Sequence, residues 1–316
     1  MMSNDHVSHT ALTAAAARAA HLIVDNDPLI FNDILAATML GERADELIGF
    51  HRAHGTHPVL SGARAQVTYR SRYTEDHLAR CAAGGVGQYV ILGAGLDSFA
   101  FRPGLAGQVR VFEVDHPATQ RWKRRRLSAG RIAVPGCLTF VPADMENDSL
   151  SGCLIKNGFD AARPALVSWL GVTMYLTPAA IGRALAEIAR FAPGSELIAD
   201  YMLPPHLRDA AGKAYADLVM PVAAEGGEPW LTFLDPGEMS DLLTRHGLAP
   251  VEHVSQRDVA GGALWRRRTD SLRPMDLSLL ARAAVPARAL TPSTRSAGAS
   301  RRAGSSSAGR PVRPRM

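Results

Sequence analysis

The chain has no CxxC pair and only three cysteines, Cys81, Cys137 and Cys153, in 316 residues. An odd number at wide spacing argues against a disulfide framework and a cysteine zinc site, and predicts reduced, mostly packed thiols. No apolar segment approaches the roughly 20 residues needed to cross a bilayer, so no membrane partner is expected. The N-terminal MMSNDHVSHTALTAAAARAA lacks the basic-then-apolar order of a secretory signal, and a cytoplasmic location is the expectation. Acids are missing from residues 287–316, which carry seven arginines. The formal charge of +5, less those seven, leaves −2 for the rest. The basic balance therefore belongs to the tail, and no nucleic acid is expected on the core. The tail is also poor in large apolar side chains. It cannot offset its ordering entropy, which predicts disorder over 287–316.

What is present suits a large α/β protein. A chain of this length with 47% hydrophobic residues can bury a sizeable core. Residues 1–85 read as helical, with apolar side chains at helical spacing in ALTAAAARAAHLIV and FNDILAATML, and form a cap within the same domain. The stretch ARAQVTYRSRYTEDHLARCAAGG reads as a helix closed by Gly84-Gly85. From Gln88 the pattern changes to strands alternating with helices. QYVILGAG, VRVFEVD, CLTFVPAD, PALVSWLG and SELIADYML are near-continuous apolar runs, as expected of a parallel sheet covered on both faces. Pro117, Pro178 and Pro236 each open a helix. The prediction is a doubly wound, mostly parallel seven-stranded Rossmann-like sheet over 86–286. A segment at about 204–230 is read as an insertion after strand five that could cover the site.

Gln88 to Asp115 carries the chemistry. An apolar strand meets the turn Gly93-Ala94-Gly95, where a bare backbone can approach a ligand. A second strand ends in Asp115, whose carboxylate can accept from two ribose hydroxyls. A dinucleotide fingerprint wants GxGxxG, but its third position here is Ser98. Both a nicotinamide cofactor and S-adenosylmethionine remain open at this point. Asp144 and Met145 follow the third strand, at the edge where open α/β sheets bind ligands. The acid can accept from an adenine amino group while the methionine packs the ring. The competing reading makes Asp144 a cap for the next turn.

Together QYVILGAGLDSFAFR, VFEVDHP, VPADM and WLGVTMYLTP resemble the leucine carboxyl methyltransferase-like group of class I S-adenosylmethionine-dependent methyltransferases. The similarity spans about Thr10 to Pro274 and is closest to a bacterial O-methyltransferase branch, some of it linked to polyketide and secondary metabolism. The resemblance implies S-adenosyl-L-methionine as methyl donor, with Gly93 and Gly95 in the turn against it. Asp115 would take its ribose, and Asp144 with Met145 its adenine. Arg70, in RSRYTED, would hold the donor's carboxylate by a bidentate pair, and is preferred over Arg72. A surface pair of Arg70 with Glu75 or Asp76 is the alternative. One departure is clear. A family glutamate that contacts the donor is replaced by Leu170, which argues against a protein C-terminal carboxylate as acceptor and in favour of a small molecule.

Catalytic residues are less defined. Tyr175, Asp200, Tyr201 and His206 fall at or just beyond the ends of strands four and five, where an acceptor should lie. A carboxylate acceptor needs no base; a hydroxyl would need one, with His206 or Asp200 first in line. His51, His54 and His57 are not read as a metal site, because Gly55 and Pro58 interrupt a common helical face. The polar face of WKRRRL is read as solvated, with Lys123 close to the ribose acid. Two other functions share this topology: an NAD(P)-dependent oxidoreductase, and a catalytically inactive S-adenosylmethionine-binding protein.

Overall fold

The computed structural model describes residues 8–287. The tail expected to be disordered lies outside them, apart from Ala287. Four helices precede the first strand: α1 (His9–Val24), α2 (Ala36–Leu40), α3 (Ala44–His54) and α4 (Pro58–Ala83). Their ends are set by local chemistry. Ser8 accepts from the Ala11 N–H to open α1, and His57 with Pro58 opens α4. Gly84 and Gly85, the latter at φ 94°, close α4 as the glycine pair predicts.

The rest of the chain alternates. In order come β1 (Gln88–Leu92), β2 (Arg110–Asp115), α5 (Pro117–Ala129), β3 (Leu138–Pro142), α6 (Leu150–Lys156) and β4 (Ala165–Trp169). Then follow α7 (Pro178–Ile188), β5 (Glu196–Met202), α8 (Ala210–Glu225), α9 (Pro236–Arg245), β6 (Ala249–Val254) and β7 (Ser278–Ala284). They build one seven-stranded sheet in the order β3-β2-β1-β4-β5-β7-β6. The first five strands run parallel, while β7 lies antiparallel to both β5 and β6. This is the expected doubly wound sheet with an antiparallel edge.

Every residue of β1 and β4 is buried, because each strand packs helices on both faces. Val90 and Leu92 join Leu154, Leu185 and Leu243 on one side. Tyr89 and Ile91 alternate to the other, where Tyr69 and Leu78 of α4 cover them. The cap's own core, around Leu12, Ala16, Leu40 and Ile48, reaches Leu96 of the glycine turn. The α-helical cap is thus packed directly on the loop after β1.

Two local outcomes were not specified by the sequence reading. Between β1 and β2 the chain makes only short 3-10 turns, Phe99–Phe101 and Leu105–Gln108, rather than an α-helix. Pro103, Gly104 and Gly107 fall in that stretch and discourage a longer helix. The 204–230 segment contains a full helix, α8, capped by Asp209. It buries Ala216 with Met174, Met202, Trp230, Met275 and Leu277. Tyr215 lies on α4 so closely that a Cβ at Gly62 would sit 2.8 Å from its ring.

Candidate active site

A cavity of about 880 Å³ opens at the C-terminal ends of the parallel strands. Its lining comes from the glycine turn, Asp115, the loops after β3 and β4, α1, α4 and the 227–231 loop. The fold explains this convergence. In an open α/β sheet the loops after the strands gather at one edge, and the cap helices then close over it.

The glycine turn requires its glycines. Gly93 has φ 63° and Gly95 φ 49°, conformations that L side chains adopt rarely. A Cβ on Gly93 would overlap Val172, and one on Gly95 would sit 3.1 Å from the Ala11 Cβ of α1. Asp115, at the tip of β2, accepts from the Gly95 N–H at 2.5 Å and from the His116 N–H at 2.6 Å. A carboxylate has about four acceptor positions, so two remain for a ligand's hydroxyls. Burial raises the Asp115 pKa above its ordinary value, opposed by these two N–H donors and the nearby Lys123.

Lys123 is buried, not part of a solvated face. Its Nζ donates to Glu113 at 2.6 Å and to the Asp97 carbonyl at 2.6 Å. Helix α5 therefore grips the glycine turn from behind. Burial pushes Glu113 up to about 7, with Lys123 pulling the other way. Ser98, in the place of the third glycine, donates to Asp33 of the cap at 2.5 Å, and Arg18 donates to Asp33 and to the Leu96 carbonyl. The serine thus joins the turn to the cap.

Arg70 lines the cavity, and its Nη1 donates to Asp200 at 2.9 Å. The surface pairing with Glu75 or Asp76 does not occur: Glu75 binds Arg102, and Asp76 binds Arg72. Asp200 is fully buried and also accepts from the Gly171 N–H at 2.6 Å. Its carboxylate is committed to holding Arg70 and the loop after β4, which removes it as a free general base. Tyr201 points to the other face of β5, where its hydroxyl meets His253 Nδ1 at 2.7 Å. His206 is exposed on a short turn and does not line the cavity. Of the four acceptor-end residues, only Tyr175 faces the cavity.

Asp144 and Met145 line the same cavity, beyond β3. Asp144 also caps its turn, accepting from the Glu146 N–H at 3.0 Å and the Asn147 amide at 2.8 Å. The capping reading is the one observed, and each oxygen keeps a further lone pair. Leu170, where a family glutamate would be, is also in the lining.

Thr10 and Glu228 belong to the site and were not singled out from the sequence. Glu228 Oε2 accepts from the Thr10 N–H at 3.1 Å and from its hydroxyl; that hydroxyl lies 3.3 Å from the Tyr175 hydroxyl. Glu228 sits in EGGEPW, which reads as a plain turn, and Thr10 precedes an alanine-rich helix. Only folding brings them together. The three histidines separate: His51 contacts Arg64, while His57 caps α4.

A family model of leucine carboxyl methyltransferases matches residues 11–189. The chain belongs to that family. A relative in Bacillus subtilis, YktD, described as a candidate S-adenosyl-L-methionine-dependent methyltransferase, is 31% identical over 293 residues. That match covers 86% of this chain and 95% of YktD. A Mycobacterium tuberculosis protein of the same description is 38% identical over 156 residues, 48% of this chain and 49% of its own. Among solved structures, a candidate methyltransferase from Thermobifida fusca superposes with TM-score 0.57 at 17% identity, covering 90% of this chain and 97% of its own. A Streptomyces avermitilis duf574 family protein does so with TM-score 0.53 at 18% identity, covering 86% and 97%. At such identity these two speak to the fold alone.

The family member is an S-adenosylmethionine-dependent methyltransferase. The cavity suits that donor. Its glycine turn has a bare, close backbone, a two-acceptor carboxylate follows, and a guanidinium stands across the site. It suits a dinucleotide poorly. Pyrophosphate binding uses a helix N-terminus directly after the glycine turn, and here that place holds only a 3-10 turn.

Proposed function

We propose that this enzyme methylates an oxygen, a hydroxyl or a carboxylate, on a small molecule, a polyketide-type metabolite being one candidate. The observation that carries the reading is that one cavity of about 880 Å³ is lined both by the glycine turn, Asp115 and Arg70 and by the hydrogen-bonded group Thr10, Tyr175 and Glu228. The volume lies toward the upper part of the range for small-molecule sites, about 300–1,000 Å³. In this reading Asp115 binds the donor's ribose, Asp144 and Met145 its adenine, and Arg70 its carboxylate. The glycine turn contributes backbone contact at Gly93 and Gly95. The other end, around Thr10, Tyr175 and Glu228, receives the acceptor.

When bound, S-adenosylmethionine supplies a methyl already activated on a sulfonium. The chain's own residues then have to align and enclose. Arg70, held by Asp200, fixes one end of the donor, and Asp115, fixed by two backbone N–H groups, fixes the middle. The cap helices and the 227–231 loop border the cavity, where an acceptor oxygen can be held in line with the methyl. Leu170, in the place of the family glutamate, favours a small acceptor over a protein C-terminus.

Thermal denaturation with ligand tests the donor half. S-adenosylhomocysteine at 100 times its Kd should stabilise the fold by about 2.7 kcal/mol. Stabilisation by NAD(P)H but not by S-adenosylhomocysteine would overturn the reading. Labelled donor with an extract of the source cells tests the acceptor half; label in protein rather than small molecules would refute the small-molecule acceptor.

A further inference from the structure

Among the described residues, the acceptor end of the cavity carries a carboxylate and no spare cation. Glu228 is its acid. Its Oε2 is taken by the N–H and hydroxyl of Thr10, and Oε1 makes no hydrogen bond among the described residues. Neither arginine of the lining is left for an acceptor: Arg18 is engaged with Asp33 and the Leu96 carbonyl, and Arg70, held by Asp200, is taken by the donor's carboxylate in the reading above. Tyr175 offers a half-buried phenol beside Thr10, and burial raises its pKa, keeping it a neutral partner.

This arrangement treats the two oxygen acceptors differently. A carboxylate arriving here would be repelled by Glu228 at the cavity mouth, and among the described residues neither arginine of the lining is left to compensate it. A neutral hydroxyl would instead find a carboxylate able to accept its proton. An alcohol or phenol needs that help, because its oxygen is a weak nucleophile while protonated. We propose that the acceptor is a neutral hydroxyl, that Glu228 takes its proton, and that the product is a methyl ether.

The inference rests on the oxygen-methylation reading above and decides between its two forms. In the step, the hydroxyl oxygen forms a bond to the methyl carbon as the carbon–sulfur bond breaks. The sulfonium's positive charge is neutralised as S-adenosylhomocysteine leaves with the bonding pair. The hydroxyl proton passes to Glu228 Oε1. Thr10, by holding Oε2, keeps that carboxylate at the mouth between α1 and the 227–231 loop, while Tyr175 orients the acceptor oxygen.

The full chain is incubated with methyl-labelled donor and a small-molecule extract of the source cells, and the labelled products are treated chemically. The expected label resists mild alkali and is released as methyl iodide by hydriodic acid, as an ether requires. Label released as methanol by alkali marks an ester and overturns the hydroxyl inference while leaving oxygen methylation standing. Label that survives both treatments marks nitrogen or carbon methylation and overturns the oxygen reading itself. Absence of any labelled ether counts against the inference. Glu228→Gln keeps the hydrogen bonds to Thr10 but cannot take the proton. It should lower turnover at neutral pH by about 100-fold or more, recovering as pH rises, with S-adenosylhomocysteine affinity unchanged. Full turnover in Glu228→Gln, or the same loss at every pH, would remove Glu228 as proton acceptor.

Discussion

Replacing Asp115 by alanine is the sharpest probe of the donor site. In the folded chain its carboxylate accepts two short backbone hydrogen bonds, from Gly95 and His116, and keeps two acceptor positions. Two ribose hydroxyls at those positions would each make a hydrogen bond to a charged group, worth about 1.5–3 kcal/mol. Part of that gain is offset, because the buried carboxylate surrenders its remaining water when the ligand binds. A net loss of about 3 kcal/mol corresponds to roughly 100-fold weaker binding of S-adenosylhomocysteine. Stability should change little. The raised pKa of Asp115 means that ionisation works against the fold, a cost absent below the unfolded value of 3.8 and incurred as pH rises through the folded value. Removing the charge relieves that cost at neutral pH while forfeiting the two backbone bonds. Titration calorimetry against S-adenosylhomocysteine, with circular dichroism as the control for folding, reads both effects. In the unmodified protein, affinity should also decline as pH falls through the raised Asp115 pKa. A loss smaller than about threefold in a folded Asp115→Ala variant would place the ribose elsewhere.

Two further substitutions test the supporting structure. Gly171 has φ 73°, and a Cβ there would lie 2.6–2.7 Å from the terminal nitrogens of Arg70, so Gly171→Ala should displace the guanidinium without removing its charge. Binding of S-adenosylhomocysteine should weaken by about tenfold. Methylthioadenosine, which has no carboxylate, should be barely affected, and equal losses for both would refute the role of Arg70. Lys123→Met leaves Glu113 buried and unpaired, which should cost about 3–5 kcal/mol and lower Tm by roughly 10 °C. Glu113, pushed up to about 7, can shed its charge by protonation, and a raised folded pKa favours stability at low pH that is lost as pH rises through it. The deficit should therefore be larger at pH 8.5 than at pH 6, and a pH-independent deficit would argue against the pairing.

Much of the fold was legible because its signals are local. Pro117, Pro178 and Pro236 marked helix starts, Gly84-Gly85 a helix end, and five apolar runs the parallel strands. β7 was harder to see: SLLARAA has little β-branched character, and it becomes a strand by pairing antiparallel with β5 and β6. The α8 helix was obscured by Gly212 and Pro221, and it is held by packing on α4 and the Met174–Trp230 cluster. Lys123 reads as close to the ribose acid on a solvated face, because nothing in WKRRRL reveals that α5 buries that residue against Glu113.

By itself the sequence determined the strand, glycine turn and terminal acid to which donor binding is assigned in the proposed function. Strand, glycine turn and terminal acid are contiguous, and their chemistry depends on backbone conformation and residue type over fewer than thirty positions. The tertiary structure alone decided which polar groups are free to act. Asp200 and Tyr201, adjacent in the chain, face opposite sides of β5, one spent on Arg70 and the other on His253. Thr10 and Glu228, separated by 218 positions, meet beside Tyr175. The physical reason is the same in both cases. A side chain's availability is fixed by what burial and hydrogen bonding have already claimed, and that competition involves partners from the whole chain.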